Sequence, residues 1–232
     1  MKLWDISPPV DASSPVFPGD TPYAQQWVAT IGAHCPVNVG AVTLSPHVGA
    51  HADAPLHYDP LGAAAGALAL APYLGACRVI HAIGAGPLIG WAQLAHALPR
   101  GAAAASSTRP CGAGAALPGA PNLPPRVLVR CYRQAPLRHF DDDLPGFEPA
   151  LLEALADLGV LLIGTDSASI DPAASKTLPA HQVLRRRGLR VLENLWLDEV
   201  AEGDYELIAL PLRWTAADAS PVRAVLRELA PP

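Results

Sequence analysis

Seven short apolar or β-branched runs recur along this chain, each of strand length, and they commit it to a fold in which strands outnumber helices. They are Leu3 to Ile6, Val37 to Leu44, Arg78 to Ile83, Val127 to Cys131, Val160 to Ile163, Arg190 to Leu192 and Tyr205 to Leu210. Three helical candidates lie between them. Leu88 to Leu98 carries Leu88, Trp91, Leu94, Ala95 and Leu98 at helical spacing, and Pro149 to Leu158 carries Leu151, Leu152, Leu155 and Leu158 on one face. The third spans about Leu178 to Arg187, with Pro179 near the first-turn position and Gly188 where a helix-ending glycine belongs. The pattern predicts a mixed α/β chain. With 232 residues, half of them hydrophobic, it has material for one compact domain over 1–232. Much of the alanine, glycine and proline excess gathers in residues 101–124, which hold one charge and no periodicity and read as a flexible surface loop.

Several function classes are disfavoured. The stretch from Leu61 to Cys77 is free of charge and histidine, but it is shorter than about 18 residues and is interrupted by Pro72, so no membrane span is expected. Lys2 is followed by Trp4-Asp5-Ile6-Ser7-Pro8 rather than by an apolar signal core, and the expected address is the cytoplasm. Cys35, Cys77, Cys111 and Cys131 are widely spaced and read as free thiols. Net charge is -5 and Arg185-Arg186-Arg187 is the longest basic run, so a nucleic-acid partner is not expected. The remaining prior is small-molecule chemistry.

That chemistry concentrates between His47 and His57, where three of the eight histidines and one carboxylate fall within eleven residues. Pro46, Gly49 and Pro55 argue against a helix. In extended chain His51 and Asp53 point to the same side about 7 Å apart, within reach of one cation. His47 joins them only if the chain bends, and Gly49 permits the bend. Imidazole and carboxylate together suit Zn, Mn or Fe, and three protein ligands leave positions open for water and substrate, as catalytic sites do. His57 shares the parity of Asp53 but lies beyond Pro55. An imidazole beside the metal and off it is a candidate general acid/base.

His47-Val48-Gly49-Ala50-His51-Ala52-Asp53-Ala54-Pro55-Leu56-His57 resembles the H-x-G-T-H-x-D-x-P-x-H signature of the metal-dependent cyclase-type hydrolases, and in particular their bacterial kynurenine formamidase group. The likeness extends through Trp4-Asp5-Ile6-Ser7, Phe17-Pro18-Gly19-Asp20-Thr21-Pro22, Leu162 to Ser167, Asp171-Pro172, Ser175-Lys176-Thr177, Ala180-His181, Val191-Leu192-Glu193 and Gly203 to Leu212. It implies a compact α/β fold with a small β-barrel-like core and flanking helices, assembled as a homodimer. It also implies zinc-dependent hydrolysis of N-formyl-L-kynurenine with two zinc ions per subunit. His47, His51 and Asp53 would hold one ion, His181 and Glu193 the other, with Asp53 and Glu193 bridging. His57 would be the acid/base and Phe17 would lie against the substrate ring. Ala50 stands where the signature has Thr, which removes a hydroxyl but no ligand. From the residues themselves, His181 in the first turn of a helix and Glu193 on the next strand can meet at one end of a helix-turn-strand unit. Two other readings stay open here: a cyclic-amide hydrolase of the isatin type working with one Mn ion, and a non-catalytic metal- or ligand-binding module.

Overall fold

The computed structural model describes residues 1–99 and 123–229. Within them lie thirteen strands: β1 (Leu3–Asp5), β2 (Ala24–Ala29), β3 (Val39–Thr43), β4 (His51–Asp53), β5 (Leu74–His81), β6 (Leu88–Ile89), β7 (Arg126–Arg130), β8 (Gly146–Phe147), β9 (Leu162–Thr165), β10 (Arg190–Glu193), β11 (Gly203–Ile208), β12 (Ala219–Pro221) and β13 (Val225–Glu228). The α-helices are α1 (Trp91–Leu94), α2 (Pro149–Asp157) and α3 (Pro179–Arg187). Each of the seven apolar runs overlaps a strand.

Nine strands form one curled, half-barrel sheet in the order β1-β13-β11-β5-β7-β9-β10-β4-β12. Its centre, β5-β7-β9-β10, is parallel, and the flanks are antiparallel. Parallel central strands are buried on both faces, which is why they read as continuous apolar runs. On β7, Val127 and Val129 join a cluster with Leu151, Leu155, Val183 and Leu184 of α2 and α3, while Leu128 faces a second core. Ile163 and Val191 repeat the first pattern, Leu162 and Leu192 the second. Gly164 lies where the second core closes tightly, because a Cβ there would run into Leu128 and Leu195.

Helices α2 and α3 form where expected, and Gly188 at φ +68° ends α3 in the left-handed region. The expectation of a helix over Leu88 to Leu98 is corrected. Leu88 and Ile89 pair with β8, and only Trp91–Leu94 is helical. Sheet pairing outweighs periodicity here: the Glu148 N–H donates to the Ile89 carbonyl at 2.9 Å, and the Glu148 carboxylate occupies the space that a side chain at Gly90 would need. Of the 101–124 loop, only Leu123 and Pro124 belong to the described residues. Cys35, Cys77 and Cys131 are free, and Cys111 is outside that set. No described helix is long and apolar enough to cross a membrane.

Candidate metal centre

The strand-helix-strand unit β9-α3-β10 brings the amino end of α3 and the carboxyl end of β10 to the same edge of the sheet. His181, third residue of α3, and Glu193, last of β10, therefore meet there. Strand β4 runs antiparallel to β10 with His51 opposite Glu193, so both side chains share a face. Asp53, two residues on, shares it as well. Ala50 and Ala52 point the other way, into the second core, so the alanine at the signature's threonine position faces no ligand.

Before β4 the chain turns through Gly49 at φ +69°, where an added Cβ would also come within 2.5 Å of Val10. The bend carries His47 back so that its Nδ1 is 3.2 Å from Asp53 Oδ1. After β4, Pro55–His57 forms a 3-10 turn, which returns His57 over the site rather than carrying it along the strand line. Its ring centroid is 4.4 Å from that of His47 and 5.9 Å from that of His181. His57 is thus closer to the cluster than strand parity suggests.

Each carboxylate faces two sets of imidazoles. Asp53 Oδ1 lies 3.2 and 3.4 Å from His47 and His51, and its Oδ2 lies 3.3 Å from His181 Nε2. Glu193 presents Oε2 to His51 Nε2 at 3.4 Å and Oε1 to His181 at 3.7 Å, and Oε1 also accepts the Ile170 N–H at 2.8 Å. The histidine tautomers are set from behind. His51 Nδ1–H donates to the Gly49 carbonyl at 2.9 Å, and His181 Nδ1–H donates to Asp171 Oδ2 at 2.7 Å. Both leave Nε2 directed into the cluster, the arrangement by which outer partners orient metal-binding imidazoles. Asp171 is itself fixed by the N–H groups of Ala180 and His181.

The electrostatics ask for positive charge. Burial pulls His51 and His181 down, but hydrogen bonds to Asp53 and Glu193 in the first case and to Asp171 and Asp53 in the second outweigh it, raising both to about 10. Burial pushes the Asp53 carboxyl up, yet the hydrogen bonds from His181, His47 and His51 hold it well below the usual carboxylate range. These contacts at His51 Nε2 and Asp53 Oδ1 are 3.2 to 3.4 Å long, and neither buried atom has a well-aligned hydrogen bond among the described residues. Orphaned buried polar atoms are costly. A cation between them satisfies both, so His47, His51, Asp53, His181 and Glu193 fit a metal centre by donor type and by unmet need.

Two residues with no role in the sequence reading belong here. Asp171 orients His181. Asp218 Oδ2 accepts from His47 Nε2 at 3.0 Å and from His57 Nδ1 at 3.2 Å. The Asp171-Pro172 pair stood inside the family-like stretches, whereas Asp218, among alanines before an edge strand, carried no local signal. Asp166, at the end of β9, is buried and accepts the N–H groups of Cys131 and Tyr132, a structural cap. Phe17 lies edge-to-face with Phe140, centroids 5.1 Å apart. Both line a cavity of about 680 Å³ that reaches His47, His57, His181 and Glu193.

Residues 4–172 match the Cyclase family model. The kynurenine formamidase of Paracidovorax citrulli is 64% identical over 225 residues, covering 97% of this chain and 96% of its own. That of Delftia acidovorans is 63% identical over 229 residues, 99% of both. Among solved structures, one described as a potential metal-dependent hydrolase with cyclase activity superposes with TM-score 0.76 at 22% identity, covering 99% of both chains. An isatin hydrolase bound to thioisatinate gives 0.73 at 21%, covering 97% of this chain and 91% of its own. At such identities the two structures speak for the fold alone. By the family model and by near-full-length relatives, the chain belongs to the Cyclase family.

Proposed function

We propose that this chain hydrolyses N-formyl-L-kynurenine to L-kynurenine and formate, using two zinc ions held by His47, His51, Asp53, His181 and Glu193. One observation carries the reading: a buried cluster of three imidazoles and two carboxylates, with unpartnered polar atoms at its centre, opens into a cavity with an aromatic wall. The high identity to proteins named kynurenine formamidase supports the substrate. Two ions rather than one accord with the way Asp53 and Glu193 each divide their oxygens between His181 and the His51 side.

Bound there, the ions would supply a water of lowered pKa and an electrophile for the formyl oxygen. The chain's own residues do the rest. Phe17 and Phe140 flank the substrate ring and limit the water around it. Attack on the formyl carbon gives a tetrahedral adduct whose C–N bond breaks only as the aryl amine nitrogen gains a proton. His57, with Nδ1–H held by Asp218, takes at Nε2 the proton that the attacking water loses and delivers it to that nitrogen. His47 shares the same Asp218 oxygen, which couples the placement of the acid to the placement of the cluster.

The protein is proposed to work as a homodimer in the cytoplasm. Strands β2 and β3 form a separate two-stranded sheet with Trp27, Val28, Ile31, Val39 and Val42 exposed. A hairpin of this kind is marginal by itself, and its exposed apolar side chains suit a second copy of the chain. The free thiols fit a reducing compartment.

The substrate assignment is tested by comparing zinc-loaded protein on N-formyl-L-kynurenine and on isatin. The expected kcat/KM is higher for the formamide by about 10² or more, since a site shaped to a substrate's polar groups rejects a molecule lacking them at least that strongly. Faster opening of isatin would replace the assignment with cyclic-amide hydrolysis.

A further inference from the structure

We infer that Lys176 and Asp20 form the subsite that reads the α-amino-acid tail of the substrate, Lys176 taking the α-carboxylate and Asp20 the α-ammonium group. The inference rests on the formylkynurenine reading above and adds what the metal cluster and aromatic wall do not supply. Those two elements suffice for a plain aryl formamide. Histidines aside, the charged side chains lining the cavity are Asp20, Asp141, Glu193, Asp218 and Lys176, its single lysine or arginine among the described residues. Away from the metal cluster, Lys176 is the one lysine or arginine of this lining that a substrate carboxylate can meet.

Lysine is scarce in this chain, with Lys2 the only other one. Several surface arginines are committed elsewhere: Arg138 to Asp11, Arg185 to Asp59, Arg186 to Glu153, Arg187 to Glu153 and Asp157. Lys176 pairs with no described carboxylate. Its loop is nevertheless pinned. Ser175 N–H donates to the Pro172 carbonyl at 2.8 Å, Leu178 N–H donates to Ser175 Oγ at 3.2 Å, and Asp171 holds the first turn of α3. The lysine thus has a fixed tether to His181, five residues on. Of the two acids away from the cluster, Asp141 has both oxygens engaged, by the Tyr132 hydroxyl at 2.8 Å and the Asp143 N–H at 3.0 Å. Asp20 has Oδ2 held by the Ser45 hydroxyl at 2.9 Å, which orients the carboxylate and leaves Oδ1 for an ammonium group.

The test uses the zinc-loaded full-length protein with four probes: N-formyl-L-kynurenine, its methyl ester, the analogue lacking the α-amino group, and formanilide. A hydrogen bond to a charged group is worth about ten- to a hundredfold in affinity. Lys176→Met is therefore expected to lower kcat/KM for N-formyl-L-kynurenine about tenfold or more, through KM, and to stop distinguishing the acid from its ester, with Lys176→Arg restoring most of the preference. Asp20→Asn is expected to lose the preference for the amino compound over its analogue. Equal losses on formanilide and N-formyl-L-kynurenine, or a wild type indifferent to esterification, would overturn the subsite. If N-formyl-L-kynurenine is not turned over at all, calorimetric binding of L-kynurenine separates the two ideas. Binding weakened about tenfold by Lys176→Met keeps the subsite while the reaction assignment fails, and absence of binding to the wild type ends both.

Discussion

Asp53→Asn is expected to strip the protein of both zinc ions and to lower kcat/KM for N-formyl-L-kynurenine by about 10³ or more. Asp53 is the one carboxylate within reach of all three cluster imidazoles, His47 and His51 through Oδ1 and His181 through Oδ2. An amide there offers one oxygen instead of two and turns an N–H towards imidazole nitrogens that should be facing a cation. Metal-assisted stabilisation of a transition state is worth several kcal/mol, and about 1.4 kcal/mol is a decade in rate, which sets the scale. Circular dichroism of the variant should match the wild type. The same residues fix the pH dependence of zinc uptake. With His51 and His181 raised to about 10, the metal-free protein carries protons on both at neutral pH, and an entering ion must displace them. Apparent zinc affinity should therefore climb as pH rises from about 6 towards that raised value. An Asp53→Asn protein that retains two zinc ions, or an affinity flat with pH, would contradict this picture of the centre.

His57→Ala is expected to do the opposite: retain the zinc and lose the turnover, by about 10² to 10⁴. The proximity of His57 makes the experiment necessary. One nitrogen of His57 lies within 4.8 Å of ligand atoms of Asp53 and His181, so by distance alone it qualifies as a ligand. Its partner argues otherwise, since Asp218 takes its Nδ1–H, and its side chain is about a third exposed where the proposed ligands His51, Asp53, His181 and Glu193 are buried. Metal analysis of the variant separates the roles. Zinc content near that of the wild type with turnover lost assigns it to proton delivery; zinc loss would make it a ligand and leave the leaving group without its acid.

The strands and the cluster between His47 and His57 were legible because both are local. Buried parallel strands show as unbroken apolar runs, and the bend at Gly49 and the parity of His51 with Asp53 follow from backbone geometry. His181 and Glu193 were singled out by the family resemblance; a helix-turn-strand unit allows the two to meet at one edge, but their distance from His51 depends on β4 pairing with β10, which nothing nearby in the sequence announces. Asp218 is more remote still: its place comes from β12 closing the sheet edge against β4. The Leu88 to Leu98 helix failed for a related reason, because pairing with Gly146–Phe147, far along the chain, took the first two residues. Short elements are decided by long-range partners, and local pattern cannot report those.

The most direct test of a two-ion hydrolytic centre is a zinc titration of chelated wild-type protein, followed by kynurenine formation from N-formyl-L-kynurenine. The chelated protein should be inactive, and activity should return with added zinc and saturate at two equivalents per chain. Full activity without metal, or saturation at one equivalent, would contradict it.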